Sequence, residues 1–238
     1  MWAIVLFAAF ENFLLPNPFL ENSSDFPRTL EGAQRRFDFG VGRRFGLAGL
    51  DKQELLARWD KFNFRLGHFG RNPYHEFLLG LGAAYPVSKH LAFGVGVDGL
   101  LSQTEGYGSD GVYTISTGVE TGYRKVSLLA LVKNLNTPQT AAGDSISLVG
   151  DLLFEFQAKE DIEVFGDVQT QLPVKPMFAT GVRIRPSRLG LLTMGVKTEP
   201  LSLVYGLCVR LPHLEVSYLG DLHRALGFSH RLGVGLIL

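Results

Sequence analysis

The chain is almost without cysteine: Cys208 stands alone among 238 residues. One thiol excludes an internal disulfide and is too few for a cysteine-based zinc or iron–sulfur centre, so Cys208 reads as a small packed residue. There is no charge excess either. Twenty-three Lys and Arg balance 23 Asp and Glu, which leaves no basic footprint for a polyanion and sets nucleic acid aside. No run of about twenty uncharged apolar residues occurs, so no transmembrane helix is expected. No Pro/Ser-rich or charge-rich linker divides the chain, which favours one domain over 34–238, preceded by an N-terminal stretch at 1–33.

Helical periodicity is scarce as well. From about residue 34 onward, apolar residues alternate with small or polar ones, a period that puts the two sets on opposite faces of a strand. In 112–124, Tyr113, Ile115, Thr117, Val119, Thr121 and Tyr123 share one face; Thr114, Ser116, Gly118, Glu120 and Arg124 share the other. Tyrosines close both ends of the apolar set. At about 3.3 Å per residue their separation, tilted, matches a bilayer's hydrocarbon thickness. Strands are expected at 34–45, 52–59, 61–69, 74–86, 90–103, 111–123, 125–134, 145–158, 161–171, 177–186, 189–198, 201–211, 213–219 and 226–238. The second contains good helix formers, but Leu55, Ala57 and Trp59 alternate, and bacterial single-chain barrels have even strand numbers.

The expected fold class is therefore all-β: a transmembrane, antiparallel, up-and-down β-barrel of about fourteen strands. Connection lengths agree, with long ones expected at 103–110, 135–144 and 219–226, and two- or three-residue turns such as Asp60-Lys61, Arg124-Lys125 and Lys159-Glu160 alternating with them. Both chain ends would then face the periplasm. The soluble alternative is a β-sandwich, whose strands also alternate. Glycine argues against it. Gly80, Gly82, Gly94, Gly96, Gly118, Gly181, Gly206, Gly233 and Gly235 recur on the charged face, where a water-facing strand has no reason to give up β-propensity. In a closed barrel, small residues make room for long charged neighbours that pair across the interior.

The charged residues expected to face that lumen are Arg36, Asp38, Arg44, Arg65, Glu76, Asp98, Glu120, Asp151, Glu155, Glu163, Asp167, Arg183, Arg185, Lys197, Arg210, Glu215 and Arg231. Carboxylates that share a face, such as Asp151 with Glu155 and Glu163 with Asp167, are expected to meet Arg183, Arg185 and Arg210 rather than perform acid–base chemistry. Such pairing narrows the passage and argues against an open water-filled pore. Residues 2–10, WAIVLFAAF, resemble the apolar centre of an export signal, although no Lys or Arg precedes Arg28. Either the export sequence is blurred at this end, or the run packs on or in the barrel.

The run Leu222-His223-Arg224-Ala225-Leu226-Gly227-Phe228-Ser229-His230-Arg231 leads into a glycine-alternating terminal strand. It resembles the H-x-x-L-G-x-x-H-R ending of PorV/PorQ-type bacterial outer-membrane β-barrels, relatives of the fatty-acid-transporter barrel. Asn17-Pro18-Phe19-Leu20 is similar to that family's N-terminal N-P-A-x-L element, and Lys133-Asn134-Leu135-Asn136 to the N-L-N closing a mid-barrel strand. The resemblance implies a fourteen-stranded barrel with an N-terminal segment near or inside the lumen, which makes Asn17, Pro18, Phe19 and Leu20 a candidate plug. It implies no single function: some members dock secreted proteins, and the transporter relatives move hydrophobic molecules. This chain departs from the pattern in ending on Leu238 rather than Phe.

Catalytic and cofactor signals are weak. Gly94-Val95-Gly96-Val97-Asp98-Gly99 fits G-x-G-x-x-G but lies within one expected strand, not at a strand–turn–helix junction. The histidines His68, His75, His90, His213, His223 and His230 lack metal-ligand spacing. Ser229 and His230 are strand neighbours and point to opposite faces, which defeats a Ser–His pair. No cofactor, no metal and no reaction are expected. An outer-membrane lipid-modifying activity with His68 or His75 as base is the enzymatic alternative. The leading expectation is an integral outer-membrane barrel in contact with the lipid bilayer, acting as a narrow or plugged conduit for small hydrophobic molecules. The other is a membrane-anchored docking or shuttle subunit bound to a secretion-system protein.

Overall fold

The computed structural model describes residues 35–43, 51–106, 108–139, 146–171, 174–198, 201–224 and 226–238. The N-terminal stretch 1–33, including the Asn17–Leu20 candidate plug, lies outside the described residues, as does Arg44.

Fourteen strands form: β1 (Arg36–Arg43), β2 (Asp51–Trp59), β3 (Phe62–Arg71), β4 (Tyr74–Ser88), β5 (Leu91–Thr104), β6 (Gly108–Tyr123), β7 (Val126–Lys133), β8 (Val149–Lys159), β9 (Ile162–Gln171), β10 (Val174–Ser187), β11 (Gly190–Thr198), β12 (Leu201–Arg210), β13 (Leu214–His223) and β14 (Gly227–Ile237). Each pairs with its sequence neighbours, and β1 also pairs with β14 to close the barrel. Every pairing is antiparallel, as the alternating pattern and short connections require. Closure leaves no free sheet edge. The helix-prone segment 51–59 is a strand, with Lys52, Glu54 and Leu56 buried between exposed Gln53, Leu55 and Trp59.

The two faces differ as the period-two pattern requires. Outward residues are large, apolar and exposed around the whole circumference, among them Phe39, Leu81, Val95, Phe154, Phe178, Met194, Leu207 and Leu232. A continuous apolar surface of this kind is a membrane or partner surface. Inward residues are buried, and charged groups alternate along the strands with Leu56, Leu78, Leu129, Leu153, Phe165, Val204 and Leu219.

One rim is built from tight turns. At Asp60-Lys61 and Arg124-Lys125 the first residue takes a positive φ, 53° and 55°, the left-handed conformation that suits the twist of a two-residue hairpin. Cations at this rim lie over outward aromatic rings: Arg35 over Trp59 at 4.3 Å, Lys61 over Tyr85 at 5.1 Å and Arg124 over Tyr123 at 5.2 Å. Rings with an apolar body and a polar border are the interfacial girdle of membrane barrels.

The opposite rim departs from expectation. The segment 103–110 is mostly strand, because Gln103 and Thr104 pair with Ser109 and Gly108. Likewise β13 runs on to His223, whose partner is Gly227. These polar stretches read as loops by composition, but a strand outside the apolar band needs only its ladder hydrogen bonds satisfied. At about 3.3 Å per residue and a tilt near 40°, the 16 residues of β6 span roughly 40 Å along the axis, well past an apolar band of about 25 Å. The β7–β8 connection, 134–148, remains long.

Candidate functional site: the barrel interior

The interior charges are organised into networks, each spanning several strands. Arg36 on β1 donates from Nε to Asp38 at 2.5 Å and from Nη2 to Glu215 on β13 at 2.8 Å; Arg210 on β12 donates to the same Glu215 at 2.8 Å. Strand β14 lies between β1 and β13, so Arg36 must cross it. It does so over Gly235, where a Cβ would collide with the Asp38 carboxylate and the Arg36 guanidinium. A second network has the same construction. Lys52 and Arg65 flank Glu54 at 3.5 and 3.7 Å, and Arg65 reaches Asp98 on β5 at 3.5 Å. It passes over Gly80 of β4, where a Cβ would meet the Asp98 carboxylate. Gly80 and Gly235 are thus the saddles over which charges on non-adjacent strands meet.

Farther round, Arg183 pairs with Glu163 at 2.6 Å and Glu155 at 3.7 Å, and Lys197 reaches Asp221 at 3.8 Å. Asp151 sits against Asp167, with Lys197 supplying opposing charge. Glu76 accepts from the Tyr74 hydroxyl, and Glu120 is almost fully buried. Arg231 is half-buried on β14. Burying such charges costs several kcal/mol each unless they are paired and hydrogen-bonded, which is why both signs alternate round the wall.

Two pairings expected from the sequence are different here. Arg210 meets Glu215 rather than the carboxylates of β8 and β9, because the turn at 211–213 makes the two residues direct ladder partners. Arg185 is exposed beyond the β9–β10 pairing, which ends at Ile184, and Arg183 is the arginine that meets Glu155 and Glu163. Sequence reasoning also missed Lys52, Glu54, Arg58 and Asn63 on the inward face. Lys52, Glu54 and Arg58 have the opposite parity from Leu55, Ala57 and Trp59, and that parity was the available signal.

At the turn rim a polar pocket of about 380 Å³ indents this interior, lined by Glu120, Ser127, Glu155 and Glu163, with Lys89 and Arg124 at its edge. Cys208 is buried. The G-x-G-x-x-G segment lies wholly within β5. Ser229 is buried and His230 exposed, on opposite faces of β14. His68 and His75 hydrogen-bond each other at 3.1 Å, and His75 bonds Asn72 at 2.7 Å; no nucleophilic side chain takes part in this array. Among the described residues, no group of three or more His, Cys, Asp or Glu is placed to hold a metal ion.

The segments around His223–Gly227 and Asn134–Asn136, singled out in the sequence, have local structural roles. His223 Nδ1 accepts from the Leu226 N–H at 2.8 Å, and Gly227 takes a φ of 90°, which together shape the turn into β14. Asn134 adopts a φ of 59°, and the Asn136 amide donates to Tyr113 O and accepts from Ile115 N, extending the β6 ladder with a side chain.

No protein-family model matches the chain, and no curated protein matches it in sequence. Solved structures match it in fold. The Ralstonia pickettii toluene transporter TbuX superimposes with a TM-score of 0.61 at 11% identity, over 96% of this chain and 98% of that one. The chain has the fold of the outer-membrane barrel channels. The Acinetobacter baumannii outer-membrane protein Omp33 matches with a TM-score of 0.57 at 7% identity, over 87% of this chain and 100% of that one. The CymD monoaromatic hydrocarbon channel gives 0.55 at 10% identity, over 96% and 97%.

Proposed function

We propose that the protein is an integral outer-membrane barrel that acts as a narrow conduit for small hydrophobic molecules. The observation that carries this reading is the contrast between the two faces of one closed wall: exposed apolar residues outside, and inside a lining of mutually neutralised charges interspersed with leucines and Phe165. A lining in which Arg36, Arg65 and Arg183 are already paired offers ions no uniform field, whereas selective ion pores present rings of one sign. The likeness in fold to a toluene transporter and a hydrocarbon channel supports the same solute class.

The test is reconstitution into vesicles, with entry of a monoaromatic hydrocarbon measured beside planar-bilayer conductance. Faster hydrocarbon entry with little ionic current is expected. A large steady current, or no gain in hydrocarbon entry, refutes the conduit. Cell fractionation and gel mobility before and after boiling test the membrane assignment separately.

A second reading is a membrane-anchored docking subunit, favoured by the PorV/PorQ-like motifs and by the long connection 134–148. It predicts that a secreted protein co-purifies from detergent extracts and is lost when 137–145 is shortened.

A further inference from the structure

The chain carries no net charge, yet its two rims differ. Each tight turn from β2–β3 round to β10–β11 contains or borders a cation: Lys61, Lys89, Arg124 with Lys125, Lys159 and Arg188. All of these side chains are exposed. Among the described residues, no carboxylate lies within ion-pair distance of any of them, whereas Arg35 at the same rim lies 3.9 Å from Asp60. Besides Asp60, the acidic groups of this rim among the described residues are Glu160 and Asp161, both in the β8–β9 turn. The opposite rim carries both signs: Arg43 pairs with Asp51 at 2.7 Å, and Arg71 and Arg224 are accompanied by Glu105 and Asp110. The excess of positive charge therefore sits in the collar of tight turns.

Aromatic rings mark the height of this collar. Lys61 lies over Tyr85 at 5.1 Å and Arg124 over Tyr123 at 5.2 Å. Both rings are exposed and border the apolar outer wall, where their ladder partners are Phe93 and Val126. Amphipathic rings at that border stand at the level of lipid headgroups, so the cations above them stand at the level of phosphate. An isolated exposed ion pair contributes little in water, but cations along an anionic leaflet act together, each favouring the surface by about fivefold. The distribution also selects the occupant. A single protein partner needs its acidic complement on one side; a leaflet surrounds the barrel, as these turns do round most of the rim.

We propose that the tight-turn rim is a basic collar that gathers anionic phospholipids, their phosphates lying against Lys61, Lys89, Arg124, Lys125, Lys159 and Arg188. The collar selects by headgroup charge and not by acyl chain. The assignment rests on the membrane reading above, since only a bilayer brings headgroups to this rim, but it is independent of what passes through the interior.

The experiment reconstitutes the full chain in phosphatidylcholine vesicles and measures, by electron paramagnetic resonance, how much trace spin-labelled phosphatidylglycerol or phosphatidylcholine is immobilised at the barrel. A several-fold preference for phosphatidylglycerol is expected at low salt, falling to near parity in about 1 M NaCl, where the screening length is about 3 Å. The variant Lys61→Gln/Lys89→Gln/Lys125→Gln/Lys159→Gln should also approach parity while keeping the boiling-dependent gel shift. A phosphatidylglycerol with a diazirine on its headgroup, used on the unsubstituted protein, should label 60–62, 88–90 and 123–126 well above 103–110, which keeps the test informative if the variant fails to fold. Equal immobilisation of the two lipids by the unsubstituted protein, a preference undiminished in the variant, or equal labelling of both rims overturns the collar. Salt-sensitive capture of polyglutamate without enrichment of phosphatidylglycerol makes the rim a protein-docking surface and overturns the lipid assignment. Failure of the membrane reading looks different: the chain stays dissolved without detergent and shows no gel shift.

Discussion

Glu215 is the residue whose loss tests the interior network most sharply. It is 2% exposed and receives both Arg36 and Arg210. Glu215→Ala leaves the buried Arg36 guanidinium with Asp38 as its remaining partner among these contacts. Removing one side of a buried pair costs about 3–5 kcal/mol. Asp38 keeps part of the compensation, and Arg210, about half exposed, adds at most about 1 kcal/mol. A loss near 3 kcal/mol is therefore expected, roughly a hundredfold in the folding equilibrium. Urea titration in lipid vesicles, followed by the gel-mobility shift, measures it. The triple variant Arg36→Met/Asp38→Leu/Glu215→Leu should recover most of the loss, because apolar side chains replace the whole buried ionic cluster and leave no carboxylate stranded. A Glu215→Ala loss below about 1 kcal/mol, or costs that simply add in the triple variant, would refute the argument that this cluster is coupled across β14.

Other outcomes follow from the same wall. Gly80→Val and Gly235→Val should each lose about 1–3 kcal/mol, because the added side chain displaces the Arg65–Asp98 or Arg36–Asp38 pair; vesicle unfolding midpoints unchanged from the unsubstituted protein would contradict the saddle role. Met194→Arg, outward and mid-strand, should cost about 2–4 kcal/mol, and Leu189→Arg at the turn rim about 0–1, a depth dependence that only a bilayer imposes. Cys208, buried on β12, should resist a bulky maleimide in the folded barrel and react on denaturation; rapid labelling of the folded protein would place the thiol elsewhere.

Strand positions were legible because a closed wall with an apolar outer face and a charged inner one imposes a strict period of two, and a register slip of one residue would turn every charge onto the apolar face. The strand β2 shows this best, since Leu55, Ala57 and Trp59 outweighed the helix propensity of DKQELLARW. Strand ends were less legible. At 103–110 and 219–223 the chain leaves the apolar band, and polar side chains no longer distinguish a strand from a loop. For the interior, parity identified the charged face but could not assign partners. Arg210–Glu215 is a hairpin neighbour and could have been read from the short turn at 211–213. Arg36 and Glu215 are 179 positions apart, and only barrel closure brings them together.

The crossing of Arg36 over Gly235 also sets an order of events. A cation near the start of the barrel sequence finds its carboxylate on the penultimate strand, beneath the last. A nascent polypeptide halted midway holds that guanidinium with its far counterpart not yet made, so the ion pair that spans the closing seam forms only when the final hairpin arrives.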